Sequence, residues 1–531
     1  MLSASPTTIV RTVLVADAVL TGRGAVGNAV AIENGQVAAV GESQEIVRDG
    51  DHVVVYDGGF ITPGFRDAHI HAIPYAALLT GCSLKSADSI TDLINRLATF
   101  ARSQPSGTPI VASRFDDECL IEQRLPTRAD LDTAVPDRPA VIYRYCGHIA
   151  VANSRALADS GIDAATPDPD GGIIDRSESG EPTGGLRETA AGLIATSLAR
   201  GAPLPAADLI DGRTRLGGLG ITSIGAMIGY GESPYEQLAA ESELFRDVAG
   251  DLPIRVHGLS IASTPAELSA SARTPTDAGD RLRWIGVKRF SDGSLGGHTA
   301  AMCSPFSDAD TTGTFRLTGD DIAVSRHSLK LGGMVAIHAI GDRAISEVLS
   351  VFRELLSEGA VPSDLRMEHV SIASPQLVAD FAHTGAVAVV QPAFLSSEEG
   401  WLGKRLGPER MPWAYPFRSM LRAGIALAGS SDSIVEPPHP LWGMAASMDR
   451  HGIAPEEALT GLEALGVFTS GGAAALRERE PLTVGSAADL AVVDCDFRTA
   501  TPGQVHDAHV LDTYVGGHRL HVDRSQPTWM D

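Results

Sequence analysis

Asp67, His69 and His71 fall within five residues, directly after the apolar run at 61–65. On an extended strand, positions i and i+2 face the same way, so His69 and His71 can both reach one metal ion. The pair alone is equally compatible with two unrelated polar residues at a strand end. Four other residues change that balance. Lys288 follows Ile285-Gly286-Val287, His338 closes the run at 334–337, His369 follows Leu365-Arg366-Met367-Glu368, and Asp432 follows Ala428-Gly429-Ser430-Ser431. Each stands at the C-terminal end of an apolar, strand-like run. One histidine in such a place is more often a hydrogen-bonded structural residue. Four histidines, a lysine and an aspartate in equivalent places are not explained by coincidence. The chemistry open to such a set is hydrolysis. Neutral imidazoles hold a divalent metal, the metal lowers the pKa of water towards neutrality, and a carboxylate beside that water accepts and returns its proton. The metal or a nearby histidine polarises the carbonyl and stabilises the oxyanion.

The elements that must position these residues are legible in the hydrophobic pattern. Apolar runs at 64–69, 221–226, 254–259, 285–290, 334–338, 365–369, 387–392 and 425–430 are each followed by a stretch of helical periodicity, the pattern of βα units on a parallel sheet. Eight such units predict an α/β fold, a (β/α)8 TIM barrel, whose strand ends converge on a single mouth. Between the first and second strands lies an insertion at about 75–205, too long for a βα connection and placed over that mouth. It carries its own strands near 110–113 and 141–145, with a Pro-, Gly- and Asp-rich loop or hairpin at 166–184. Both ends of the chain read as antiparallel β structure: runs at 10–16, 29–33, 37–40 and 53–56, and again at 488–493, 509–515 and 519–522, with turn signals at Asn34-Gly35 and Gly516-Gly517. The expected organisation is a small discontinuous β-sandwich domain from 1–60 plus 480–531, around a barrel at 61–479.

Composition narrows the class further. The 531 residues carry a net charge of −24, which disfavours nucleic acid and anionic membranes as partners. Five scattered cysteines with no CxxC pair argue against a disulfide framework or a thiolate zinc site. The first thirty residues lack a signal-peptide pattern and no apolar run is long enough to span a bilayer, so a cytoplasmic location is expected. Aromatic residues are only 5% of the chain, which gives no sign of a stacking platform. A homodimer is the expectation from base rates alone.

The sequence resembles the amidohydrolase superfamily, and within it the amidohydrolase-3 or YtcJ-like branch. The resemblance lies in ITPGFRDAHIH at 61–71, VKRFSDGSLGGHTA at 287–300, IHAIGD at 337–342, RMEH at 366–369 and AGSSD at 428–432. It extends to GHIAVANS at 147–154 and GEPTG at 180–184 in the insertion, and to VGSAADLAVVD at 484–494, so it covers nearly the whole chain in order. It implies that His69, His71, His338, His369 and Asp432 ligate a divalent metal, with Asp432 also moving the proton and His338 also catalytic, and that Lys288 resembles a lysine carrying a CO2-derived carbamate between two metals. An unmodified lysine is a poor partner for a cation, and an ordinary ion pair of Lys288 with Asp292 or Glu368 is the competing reading. One or two metals per chain are expected, zinc first, although imidazole also accepts Fe, Mn, Co and Ni. Further candidates are His298, Thr299, His148, Glu188 and Gln391 as pocket residues, and Asp342 as a helix cap or an orienting group. The implied activity is hydrolysis of a non-peptide C–N bond in a small amide, formamide or carbamate; the branch includes N-substituted formamide deformylases. The alternatives are deamination of a heterocycle, against which the absence of a Glu shortly after His338 argues, and a non-catalytic binding scaffold.

Overall fold

The structure, a computed structural model, describes residues 11–145, 149–169, 172–194, 204–229, 235–272 and 280–520. Eight parallel strands follow one another in sheet order: β1 (Phe65–Ile70), β2 (Ile221–Ile228), β3 (Arg255–Ser260), β4 (Leu282–Phe290), β5 (Met334–Ala339), β6 (Leu365–His369), β7 (Val387–Val390) and β8 (Ala426–Gly429). They are buried along nearly their whole length on both faces, which is why each reads as an unbroken apolar run. The barrel closes between β8 and β1 through loop backbone. The amide of Asp432 donates to His69 O (2.9 Å) and that of His71 to Ser433 O (2.7 Å). Helices cover the outside; Asp342–Ser357 turns Ile345, Val348, Leu349, Phe352 and Leu355 inward at three- and four-residue spacing.

The two chain ends share one sheet. In order it runs His518–Arg519, Val510–Val515, Leu490–Val493, His52–Pro63, Thr12–Thr21, Ala29–Glu33 and Gln36–Gly41. One expectation changes here: Thr12–Thr21 pairs with His52–Pro63 in parallel, so the sheet is mixed and not antiparallel throughout. Parallel pairing is possible because the hairpin of the next two strands and a short helix intervene and reverse the chain. The sheet then wraps on itself. The amide of Val37 donates to Ser486 O, that of Ala488 donates to Gly35 O, and Leu14, Val30 and Val37 share a core with Leu490, Val492 and Tyr514. Buried Arg255, on β3, reaches Asp489 through two nitrogens (2.6 and 3.1 Å) and ties the barrel to this unit.

The segment between β1 and β2 forms a separate six-stranded sheet, in order Gly172–Arg176, Pro182–Glu188, Ile149–Ala152, Ala140–Arg144, Ile110–Phe115 and Cys82–Ser83. The loop-or-hairpin region is thus a hairpin. Among the described residues no helix is long and apolar enough to cross a membrane.

At the N-terminal end of the barrel, Glu478 gathers three strands. Its carboxylate accepts from Arg66 Nε (2.9 Å), Ser223 Oγ (2.6 Å) and His257 Nε2 (2.8 Å). Burial pushes this carboxyl up, but Arg66 and His257 more than offset it and hold it well below the usual carboxylate range. A carboxyl lowered on folding contributes stability at pH values above its unfolded pKa, and that contribution is lost as the pH falls towards the folded value. Glu478→Gln is therefore expected to lower unfolding free energy at pH 7 by about 3 kcal/mol. The difference from the parent should shrink below about pH 4. Urea melts at pH 7 and pH 3.5 check this; an equal difference at both would show that the charge is not what stabilises the floor.

Candidate metal centre

The C-terminal ends of the strands bring the six residues singled out by sequence to one face of the barrel. His69 lies on β1, Lys288 on β4, His338 on β5 and His369 at the end of β6, while His71 and Asp432 lie just beyond β1 and β8. Ligand-type atoms of His69, His369 and Asp432 all lie within 4.8 Å of one another. Asp432 Oδ1 is 3.3 Å from Nε2 of His69 and 3.3 Å from Nε2 of His71, yet this buried oxygen accepts no well-formed hydrogen bond among the described residues. Ring nitrogens crowded onto one carboxylate oxygen without a linear hydrogen bond suit a cation between them. Imidazole and carboxylate are donors that zinc and related divalent ions accept. The residues present fit such an ion.

Their outer contacts set which nitrogen faces inward. His69 Nδ1 lies 2.7 Å from Glu368 Oε2; an anionic carboxylate only accepts, so Nδ1 carries the hydrogen and Nε2 presents its lone pair. Glu368 is itself gripped by Arg366 through Nε (2.6 Å) and Nη2 (3.0 Å), both residues fully buried. Burial pushes Glu368 up, but Arg366 and His69 outweigh it and hold it well below its ordinary range. His369 Nδ1 lies 2.7 Å from Gln391 Oε1. Ser430 donates to Val390 O, so its oxygen accepts from Gln391 Nε2, and this orients the amide with its carbonyl towards His369. His338 is turned the other way. Its Nε2 is 3.0 Å from Gly293 O and 3.1 Å from Asp292 Oδ1, so Nε2 carries the hydrogen and Nδ1 is the acceptor nitrogen.

The electrostatics keep these groups in ligating form. Burial is the main cause that pushes His71 down and His369 well down, so both favour neutral imidazole. Burial pushes Asp432 up, but His69, His71 and His369 overcome it and hold the carboxyl anionic. Lys288 is pushed down to about 8 by burial, against the pull of Glu368 and Asp432. Its ammonium nitrogen sits 3.9 Å from the centre of the Phe290 ring. It makes no ion pair among the described residues, so the ordinary ion pair with Asp292 or Glu368 is not what the fold builds. Backbone strain concentrates at the same place: His369 (φ 73°), Val370 (φ 48°) and Asp432 (φ 54°) all adopt left-handed conformations, rare for such residues.

His338, His369 and Asp432 floor a cavity of roughly 490 Å3, counting the space at its mouth. Its walls include Tyr145 from the insertion sheet and Phe394, Glu398, Trp401 and Tyr415 from the segment after β7. The Phe394 ring stacks on His369 at 6.4 Å and 9°. A chain poor in aromatic residues has gathered four at one mouth, a platform that overall composition did not announce.

The weaker candidates divide. His298 bonds Asp308 (3.0 Å) and packs edge-on against Phe306, and Thr299 accepts from the Ser294 amide; neither is among the residues that line the cavity above His369 and Asp432. Gln391 is likewise not among the residues that line this cavity, and it orients His369. Asp342 accepts from the amides of Cys303 and Arg343 at the start of its helix, so it caps and anchors and does not orient a ligand. His148 lies outside the described residues, as does the side chain of Glu188, which ends a strand of the insertion.

The amidohydrolase family profile matches residues 56–521. The chain belongs to the amidohydrolase family. It is 30% identical to the N-substituted formamide deformylase of Arthrobacter pascens, over 93% of this chain and 95% of that one. It is 26% identical to YtcJ of Bacillus subtilis, covering 92% and 95% of the two chains. A solved structure of an uncharacterized metal-dependent hydrolase from Pyrococcus horikoshii superposes with a TM-score of 0.74 at 27% identity, over 93% of this chain and 99% of that one. The amidohydrolase is thus a hydrolytic enzyme for carbon–nitrogen bonds. Sequence reasoning missed two parts of this amidohydrolase's site. The grip of Arg366 on Glu368 had a signal, since both precede His369 in RMEH. The wall at 394–415 had none, because nothing in its spacing points to the barrel mouth.

Proposed function

We propose that this amidohydrolase cleaves a non-peptide C–N bond in a small amide, formamide or carbamate, with formamides first. The observation that carries this reading is the convergence of His69, His369 and Asp432, with His369 and Asp432 also lining an open-mouthed cavity. The similarity to a formamide deformylase supports the narrower choice. His69, His369 and Asp432 would hold a divalent cation, with His71, His338 and Lys288 completing the set; zinc suits these donors best. Such a cation, when bound, lowers the pKa of water and polarises a carbonyl.

This chain's own groups supply the rest. Asp432, held anionic by its histidine neighbours, takes a proton from the attacking water and delivers it to the leaving nitrogen. The Nε2 hydrogen of His338 is engaged by Gly293 O, which leaves the lone pair on Nδ1, so the ring is suited to ligation and not to donating a hydrogen to a carbonyl. Lys288, with its amine partly neutral near pH 8, is in a form that adds to CO2; loss of the amine proton then leaves an anionic carbamate able to ligate a cation.

Elemental mass spectrometry on protein purified without chelators or a His tag, together with formate and amine release from a panel of N-substituted formamides, amides and carbamates, tests the reading. The expected result is one to two divalent ions per chain, loss of activity with a chelator and recovery on adding metal. Near two ions, with reconstitution that depends on bicarbonate, supports the carbamate; near one ion, indifferent to bicarbonate, counts against it. No metal after reconstitution, or ammonia release from heterocycles with every amide inert, would overturn the proposal.

A further inference from the structure

Beyond the floor of the cavity, one wall combines polar groups that the hydrolytic chemistry leaves unused. Glu398 and Trp401 both line it, 9% and 6% exposed. The Trp401 Nε1–H is buried and has no acceptor among the described residues. Glu398 accepts the Tyr415 hydroxyl at Oε2 (2.5 Å) and forms no ion pair among the described residues. Phe394 and Glu398 are four residues apart on one short helix, so they lie on the same face, about 6 Å apart along its axis.

We propose that Trp401 Nε1–H and the Glu398 carboxyl act as paired hydrogen-bond donors for an oxygen or nitrogen acceptor on the substrate's nitrogen substituent. The preferred substrates are then neutral amides or formamides that carry a second polar acceptor on an otherwise apolar group. This deepens the hydrolase reading and rests on it. Burial is the main cause that pushes Glu398 up to about 8, and buried Glu436 adds like charge. The carboxyl is therefore mostly protonated at neutral pH. Tyr415 donates to one oxygen, so the other is free to carry the hydrogen and offer it. Without a ligand, the indole N–H stays desolvated and unpaired, a cost that an acceptor of the right reach removes. Tyr145, Phe394 and Tyr415 supply the apolar surroundings in which a neutral group is preferred over a charged one.

The test is the affinity, by isothermal titration, of the methanesulfonamides of 4-acetylbenzylamine and 4-isopropylbenzylamine. In the second a methyl group and a hydrogen replace the ketone oxygen of the first, and neither has a scissile carbonyl. The acetyl compound is expected to bind about tenfold more tightly. Trp401→Phe and Glu398→Leu should each bring the ratio towards one, whereas Glu398→Gln, whose amide still donates, should preserve it. Equal affinities in the parent protein, or binding of neither compound, would overturn the proposal. So would a loss in Glu398→Gln as large as in Glu398→Leu, because that pattern belongs to a carboxylate holding a cation. Turnover of the corresponding formamides is measured separately. If they are not hydrolysed while the affinity ratio holds, the hydrolase reading fails and the donor wall stands.

Discussion

Asp432→Asn is expected to lower kcat/KM by on the order of a thousandfold, with the fold unchanged. The side chain keeps its size, and the backbone bond from its amide to His69 O, which helps to close the barrel, does not depend on the carboxylate. What is lost is the anionic oxygen that faces Nε2 of both His69 and His71, and with it the proton acceptor beside the reacting water. Metal content measured on the same sample separates two ways to fail. Full metal with lost turnover assigns Asp432 the proton; lost metal assigns it mainly to binding. Activity within tenfold of the parent, with a circular dichroism spectrum unchanged, would sink the mechanism.

The largest stability effect is expected from Arg366→Met. Arg366 and Glu368 are both fully buried, and Arg366 also donates to Ala68 O (2.9 Å) and Ala475 O (3.1 Å), so it links β6 to β1 and to the last barrel helix. Methionine fills much of the space but leaves Glu368 buried without its guanidinium, a loss of about 3–5 kcal/mol. Lys288 does not replace it, since burial already disfavours its charge. The proton then favoured on Glu368 would weaken its hold on His69 Nδ1, so metal affinity should fall roughly ten- to a hundredfold. Urea denaturation and metal titration measure the two effects. Arg366→Met combined with Glu368→Gln should recover most of the stability but not the metal affinity. A double variant no more stable than Arg366→Met would show that the cost is lost packing and not an unpaired charge.

The barrel was readable because parallel strands buried on both faces must be apolar along their whole length. All eight strands begin or end within about three residues of the runs seen in sequence, and the polar residues at the ends of β1, β4, β5, β6 and β8 mark the mouth. The mixed sheet of the termini was less readable. Alternating β patterns show that strands exist, but the parallel pairing of Thr12–Thr21 with His52–Pro63 depends on where an intervening hairpin returns the chain. The pocket was least readable. Tyr145 comes from an insertion placed before β2 and Trp401 from beyond β7, and no local spacing relates them.

By itself, then, the sequence determined which residues could ligate a metal, that they stand at strand ends, and that those ends belong to one barrel. These follow from residue type and hydrophobic period, which are local. Only the tertiary structure decided which of them meet. His69, His369 and Asp432 converge, while His338 is turned by Gly293 and Asp292 and Lys288 has no ion-pair partner among the described residues. Those outcomes depend on ångström-scale distances and hydrogen-bond directions between segments far apart in the chain, and such distances are set by packing.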